Sequence, residues 1–138
     1  MAASEDEREA RQHFANRYSP GPSNVLDTLE RSVIGTAWGA NGFTTLSQAN
    51  LLAESVGLDA TAHLLDLGTG RGWPGLYLAQ RTGCRLTVSD LPFEGLRYAL
   101  DRAAREDLEP TGAVVGSAVK LPFQPGTFDA VIHTDVLC

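Results

Sequence analysis

Cysteine, lysine and net positive charge are all scarce in this sequence. Its 138 residues include two cysteines, Cys84 and Cys138, and one lysine. Cysteines this far apart match no metal-binding spacing, so we expect two reduced thiols, no disulfide and no metal site. With 17 acidic against 11 basic residues and a net charge of −6, the chain lacks the basic surface typical of proteins that bind nucleic acid or anionic membranes. We therefore expect neither as a partner.

Long apolar runs are missing as well. No stretch approaches the roughly 20 apolar residues that span a bilayer. The acidic residues 1–9 do not show the basic and then apolar pattern of a secretion signal, so we expect a cytoplasmic protein. A hydrophobic content of 43% over 138 residues is typical of one globular domain that buries its own core.

The first third of the chain is predicted to be helical. Ser4 and Glu7 have capping-box spacing at the start of a first helix, which a Pro-Gly-Pro turn ends. A second helix follows this turn, and a third begins after Thr45, with Gln48 as its capping partner. We interpret residues 1–43 as an N-terminal helical segment.

From residue 44 onwards, short apolar runs alternate with helical patterns. The four predicted strands are 62–67, 85–89, 113–117 and 128–133. Strands that alternate with helices indicate crossover connections and a parallel sheet. We predict that 44–138 is a doubly wound, Rossmann-like α/β domain, incomplete at its C-terminus because the chain ends just after the fourth strand.

A glycine-rich turn follows the first predicted strand. From Asp66 to Gly72 the sequence has the pattern DxGxGxG, and from Gly70 to Gly75 it also has the dinucleotide pattern GxGxxG. Glycines let the backbone approach a ligand, and the following helix offers free N–H groups, although such turns also join strands to helices without binding anything. Counted from Gly68, the third glycine of a dinucleotide site is missing. The Asp66 carboxylate suits a ligand with an ammonium group better than a pyrophosphate.

Residues with suitable chemistry also end the other strands. Asp90 ends the second strand, where a carboxylate can accept hydrogen bonds from a ribose diol, and Leu91 follows it. Small residues, Ser117 and Ala118, end the third strand, and His133 ends the fourth. Since the carboxyl ends of parallel strands meet at one edge of a sheet, we expect a single pocket there.

Taken together, these motifs resemble the class I S-adenosylmethionine-dependent methyltransferases, in the small-molecule group that includes ubiquinone and menaquinone biosynthesis enzymes. The matching segments are 64–72, 88–91, 116–118, 121–123 and 127–131. The resemblance implies S-adenosylmethionine as cofactor and a small molecule as methyl acceptor. It also implies a sheet of seven strands in the order 3-2-1-4-5-7-6, of which this chain supplies the first four. We therefore expect the cofactor-binding part of a longer protein.

The resemblance also implies a set of cofactor-binding residues. They are Asp66, Gly68, Thr69, Gly70, Gly72, Asp90, Leu91, Ser117, Ala118 and His133. Asp66 and the glycine turn hold the methionine part, while Asp90 binds the ribose hydroxyls and Leu91 lies on the adenine. Ser117 replaces the aspartate often found at the adenine edge. No catalytic residue is assigned, and His133 is the candidate for proton transfer.

Two other functions fit parts of the pattern. A nicotinamide-dependent oxidoreductase would use the glycines from Gly70 to Gly75, but Asp66 argues against it. A binding or assembly module without turnover fits a chain with only four strands. We also expect the isolated chain to self-associate through its open fourth strand and to show no methyl transfer alone. Two roles are possible for four residues ahead of the sheet: they fold over the cofactor, or they pack the N-terminal helices. These residues are Tyr18, Trp38, Phe43 and Thr44.

Overall fold

The fold was obtained as a computed structural model, which describes residues 4–21, 23–40 and 42–136. Cys84 is a buried free thiol, and Cys138 lies outside the described residues. Within these ranges, every helix is too short or too polar to cross a membrane.

Three helices precede the sheet. They are α1 (Glu5–Tyr18), α2 (Asn24–Ile34) and α3 (Leu46–Ser55). The Ser4 hydroxyl caps α1 by accepting the Glu7 N–H at 3.1 Å, and Thr45 and Gln48 form a complete capping box at α3. Both helix starts confirm the sequence prediction.

The α/β part of the chain forms a four-stranded parallel sheet. Its elements are β1 (His63–Leu67), α4 (Gly75–Thr82), β2 (Arg85–Asp90), α5 (Phe93–Arg105), β3 (Gly112–Val115) and β4 (Ala130–Ile132). The strand order β3-β2-β1-β4 and the parallel pairing confirm the predicted doubly wound fold. Strand β4 is shorter than the predicted 128–133, because Phe128 and Asp129 lie before its first paired residue and His133 lies after its last. Asp135, three residues beyond its end, has a left-handed backbone conformation with φ of 57°.

The hydrophobic core lies between the sheet and helices α4 and α5. Leu64 and Val88 from the sheet and Leu76 and Leu78 from α4 are completely buried. Helix α3 packs against α4, and α1 packs against α5. Helices α1 and α3 therefore reach the sheet by way of α5 and α4.

The amino end of the sheet is held by structural contacts. His63 Nε2 lies 3.0 Å from Thr87 Oγ1, and the His63 ring stacks edge-on against Phe128 at 4.7 Å. The Asp129 carboxylate accepts the His63 backbone N–H at 2.7 Å. These contacts are structural, and they lie at the end of the sheet opposite the candidate pocket.

Strands β3 and β4 are the two edges of the described sheet. Val131 in β4 is 50% exposed, and Val115 in β3 is 42% exposed. The open fourth strand that the sequence predicts is therefore present. The self-association expected from it stays a prediction.

Candidate functional site at the glycine loop

The glycine loop, residues 68–75, connects β1 to α4. Gly68, Gly70 and Gly72 have φ values of 74°, 56° and 99°, a backbone conformation that other L-residues rarely adopt. The first two N–H groups of the loop donate to Ser89 O at the end of β2, at 2.8 and 3.1 Å. The loop is thus tied to the neighbouring strand.

Protein atoms closely surround the glycines of this loop. A Cβ on Gly68 would lie 2.5 Å from Val136 Cγ2, and a Cβ on Gly72 would collide with Leu76. At Gly70 the added atom would lie 3.3 Å from the Tyr18 hydroxyl. Packing disfavours a side chain strongly at Gly68 and Gly72 and less so at Gly70, and the positive φ disfavours one at all three positions.

Asp66 lies buried beneath the loop with one oxygen engaged and one free. Its Oδ2 accepts the Thr69 hydroxyl at 2.7 Å and the Gly75 N–H at 3.0 Å. Its Oδ1 is buried and has no hydrogen-bond partner in the described part of the chain. Burial raises the pKa of Asp66 to about 7, against the opposing effect of the two hydrogen bonds. The Asp90 charge adds to the rise. A free, buried carboxylate oxygen is a ready acceptor for a cationic donor.

Asp90 is fixed in orientation at the carboxyl end of β2. Its Oδ2 accepts the Gly70 N–H at 2.5 Å, and its Oδ1 accepts the Leu91 N–H at 2.7 Å. Burial raises the pKa of Asp90, and the two N–H bonds oppose the rise. Since each carboxylate oxygen has two lone pairs, both oxygens can still accept hydrogen bonds from a ligand.

Residues 43 and 44 connect the end of β4 to the glycine loop. The Asp135 carboxylate accepts the N–H groups of Phe43 and Thr44 at 3.1 and 3.2 Å and the Thr44 hydroxyl at 2.9 Å. The Thr44 carbonyl in turn accepts Trp73 Nε1–H at 2.9 Å. A hollow of about 40 Å³ lies between these groups. It is lined by Ala40, Gly42, Gly68, Thr69, Gly70, Arg71, Trp73, Thr134 and Asp135.

A comparison with known protein families decides the identity of this fold. The family described as methyltransferase domain matches residues 64–138, more than half of the chain. This chain belongs to that methyltransferase family. The match begins at the second residue of β1 and covers the glycine loop and β2 to β4, which include Asp66 and Asp90. Class I S-adenosylmethionine-dependent enzymes share this architecture with the chain.

Curated relatives of this methyltransferase domain are longer proteins. Erythromycin 3''-O-methyltransferase of Saccharopolyspora erythraea is 38% identical over 85 residues, which are 60% of this chain and 28% of the relative. Protein-L-isoaspartate O-methyltransferase of a Bradyrhizobium species is 32% identical over 121 residues, 82% of this chain and 52% of the relative. The chain thus spans between about a quarter and a half of these relatives. Neither is named as a quinone-biosynthesis enzyme, and that subgroup stays a prediction.

Solved structures share the fold at low sequence identity. Geranyl diphosphate C-methyltransferase from Streptomyces coelicolor, crystallised with S-adenosyl-L-homocysteine, superposes with a TM-score of 0.70 and 19% identity. The superposition covers 96% of this chain and 54% of that one. A methyltransferase from Thiobacillus denitrificans, also in complex with S-adenosyl-L-homocysteine, gives a TM-score of 0.60 at 20% identity, over 83% of this chain and 44% of that one.

The methyltransferase domain brings most of the predicted site residues to one edge of the sheet. Asp66, the glycine loop and Asp90 are joined by hydrogen bonds. Ser117 comes two residues after β3 and lies beside them, because Gly116 donates its N–H to Asp90 O at 3.0 Å. Ala118 is exposed. His133 is also exposed, and the hollow is lined by the two residues that follow it.

Arg71 at the loop was not predicted as a site residue, and Tyr18 beside it was left open between contacting the cofactor and packing the helices. Arg71 Nη2 donates to the carbonyls of Tyr18 and Pro20, each at 2.6 Å. These bonds connect the end of α1 to the glycine loop. Tyr18 itself is 7% exposed and lies against Gly70. Burial raises the pKa of Tyr18, and the Asp90 charge adds to the rise. Helical spacing places Phe14 and Tyr18 on one face of α1 but contains no signal for what that face contacts.

Proposed function

We propose that this chain binds S-adenosylmethionine at the glycine loop and is the cofactor-binding part of a methyltransferase that acts on a small molecule. The observation that carries the proposal is the buried, free Oδ1 of Asp66 next to a loop of positive-φ glycines, in a chain of the methyltransferase family. This oxygen provides the acceptor that the cofactor's ammonium group needs.

The residues present fit the cofactor in chemistry. Asp66 accepts a hydrogen bond from the ammonium group, and Asp90, with a free lone pair on each oxygen, accepts the ribose hydroxyls. Leu91 offers an apolar contact for the adenine, and the small residues Ser117 and Ala118 leave room at its edge. The hollow of about 40 Å³ is smaller than the 300–1,000 Å³ of ordinary ligand sites. The cofactor therefore extends from it across the ends of β2 and β3.

When bound, S-adenosylmethionine supplies a methyl group on a positively charged sulfur. Transfer of that group depends on positioning, which the glycine loop and the two aspartates provide for the donor. A base is needed only where the acceptor retains its proton, and His133 after β4 is the candidate. Most of the site residues hold the donor, so we propose that the 138-residue chain alone shows no turnover.

A small-molecule acceptor is supported by the names of two similar proteins. Erythromycin 3''-O-methyltransferase and geranyl diphosphate C-methyltransferase are both named for small-molecule acceptors. The comparisons favour neither a nicotinamide-dependent oxidoreductase nor a module without enzymatic function.

Calorimetric titration separates these functions. We expect S-adenosyl-L-homocysteine to bind at one site per chain and NAD to give no heat of binding. Asp66→Asn should weaken binding of S-adenosyl-L-homocysteine at least tenfold, because a charge-assisted hydrogen bond of about 1.5–3 kcal/mol is lost. The matched control, Asp101→Asn on the exposed side of α5, should bind normally. Binding of NAD in place of S-adenosyl-L-homocysteine would contradict the proposal, and binding of neither would favour a module without cofactor.

A further inference from the structure

A second and larger cavity borders the glycine-loop site. It has a volume of about 390 Å³, within the range of ordinary small-molecule sites. We name it the α2–α5 groove. Among its lining residues are Leu26, Leu29, Val33, Trp38, Arg102 and Arg105. The groove shares Ala40, Gly42 and Arg71 with the hollow at the glycine loop, so the two cavities adjoin.

The α2 side of the groove is an apolar wall. Leu26, Leu29 and Val33 recur at the spacing of one helix face, which normally packs into a core. Here they are 49%, 58% and 57% exposed. A contiguous apolar stripe left open to solvent is typical of a ligand-binding groove or an interface.

The α5 side of the groove is cationic. Arg102 is held in place, because its Nη2 donates to the Ala37 carbonyl at 2.7 Å. Its guanidinium also lies 4.7 Å from the Trp38 ring centroid and 3.1 Å from a Glu106 oxygen. Arg105 lies one turn further along the same helix. Within the described ranges, the Arg105 side chain forms no hydrogen bond or ion pair. The groove therefore contains a guanidinium that is free to bind an anion.

The charges along the groove are segregated. The Glu30 carboxylate is engaged by the backbone N–H groups of residues 38, 39 and 40 at 2.7, 3.1 and 3.0 Å. The other acidic lining residue, Asp27, lies in the first turn of α2. Arg102 bonds to Ala37, just beyond the opposite end of α2. Seven residues of helix, or about 10 Å, thus separate Asp27 from the end of α2 near which Arg102 lies.

We propose that the α2–α5 groove binds an amphipathic organic anion. Its apolar body lies along Leu26, Leu29 and Val33, and its carboxylate, sulfate or phosphate group pairs with Arg105 beside Arg102. Although the groove borders the glycine loop at Arg71, its anion-binding end is remote from Asp90, since Arg105 ends α5 while Phe93 begins it near Asp90. Over 13 helical residues, that separation is about 18 Å.

Decanoate is the probe for this proposal, and decyltrimethylammonium, with the same alkyl chain and the opposite charge, is its control. Both are titrated into the full 138-residue chain without cofactor, below their critical micelle concentrations. Tryptophan fluorescence reports binding, because Trp38 lines the groove. We expect decanoate to saturate at one molecule per chain and to bind at least fivefold more tightly than the cation. Equal binding of both probes would overturn the proposal.

Two matched pairs of variants locate the site. Arg105→Glu should weaken decanoate binding at least fivefold, whereas Arg85→Glu, an exposed arginine on β2 outside the groove, should not. Leu29→Gln should also weaken it, whereas Leu51→Gln on α3, 62% exposed, should not. These side chains are all exposed, and thermal unfolding checks that each variant folds. Equal losses in a variant and its control would overturn the site. The proposal would also be overturned if decanoate failed to bind and sedimentation showed a dimer that Leu29→Gln dissociates. The groove would then be occupied by a second copy of the chain.

Discussion

Three aspartates from three strand ends surround the glycine loop. Asp66 lies under the loop, Asp90 accepts its Gly70 N–H, and Asp135 holds residues 43 and 44 in front of it. The loop's own cation, Arg71, donates to the carbonyls of Tyr18 and Pro20 at the end of α1. Three carboxyl groups thus lie around the loop against one guanidinium, an excess of acidic groups that suits a positively charged ligand.

Asp90→Ala tests the ribose assignment. The substitution removes a charged acceptor from two ligand hydroxyls, each hydrogen bond being worth roughly 1.5–3 kcal/mol. We expect the affinity for S-adenosyl-L-homocysteine to fall at least tenfold in calorimetry. Asp101→Ala, which removes an exposed carboxylate of α5, is the control. An unchanged dissociation constant for Asp90→Ala would show that the ribose lies elsewhere.

Asp66 should make the stability of the chain depend on pH. Because burial raises its pKa to about 7, the folded chain binds a proton more tightly than the unfolded chain, in which a carboxyl group has a pKa of about 3.9. Between these values the folded state holds more protons, so the free energy of unfolding falls as pH rises. Burial raises the pKa of Asp90 as well, and it acts in the same direction.

Urea unfolding at a series of pH values measures this effect. We expect lower stability at pH 8 than at pH 5, and a flatter dependence in Asp66→Asn. Asp101→Asn should keep the slope of the parent chain. If the slope persists unchanged in Asp66→Asn, another group titrates in this range.

At the scale of helices and strands, the sequence predicts the features that contacts between near neighbours determine. It does not predict those that depend on contacts between distant parts of the chain. The hydroxyl at Ser4 and the Thr45–Gln48 pair predict the starts of α1 and α3, because a cap is made within three residues. The length of β4 was wrong. Three residues beyond that strand, the Asp135 carboxylate binds residues 43 and 44 some 90 positions away in the chain, and such a contact leaves no periodic pattern.

Gly70→Val tests whether the cofactor lies on the loop. Valine at a φ of 56° is strained by about 1–2 kcal/mol, and its Cβ would lie 3.3 Å from the Tyr18 hydroxyl. Gly57→Val is a close control, since Gly57 has a φ of 65° and nothing within 4 Å of an added Cβ. We expect both variants to lose stability in urea, but only Gly70→Val to lose binding of S-adenosyl-L-homocysteine. Full binding by Gly70→Val would show that the ligand does not lie on this loop.

At the scale of the whole molecule, the sequence predicted which strand ends meet but not how the N-terminal helices pack. Parallel topology alone brings Asp66, Asp90 and the residues after β4 to one edge. The contact of Tyr18 with Gly70 and the α2–α5 groove depend on how α1 and α2 lie against α5. An amphipathic pattern shows which face of a helix is apolar, not which element that face contacts.

The open edge of β4 predicts self-association of the chain. Val131 is half exposed on a strand with no outer partner in the described sheet, and an unblocked apolar edge can pair with another chain. Sedimentation over a concentration series should show dimers or larger species. Val131→Lys should shift them towards monomer, while Val115→Lys on the opposite edge should not. A cooperatively folding monomer at every concentration would show that the edge does not pair.

The register of the sheet also has a consequence for the order of folding. Leu64 pairs with Leu86 in β2 and with Ala130 in β4, which is three times as far along the chain. Closing the longer loop costs about 1 kcal/mol more in chain entropy. Strand β4 is also the shortest strand described, with little pairing to offset that cost. We therefore expect β1, β2 and β3 to assemble early and β4 to dock late. Since Thr134 and Asp135 follow β4, the front of the glycine-loop site closes only in the last step of folding.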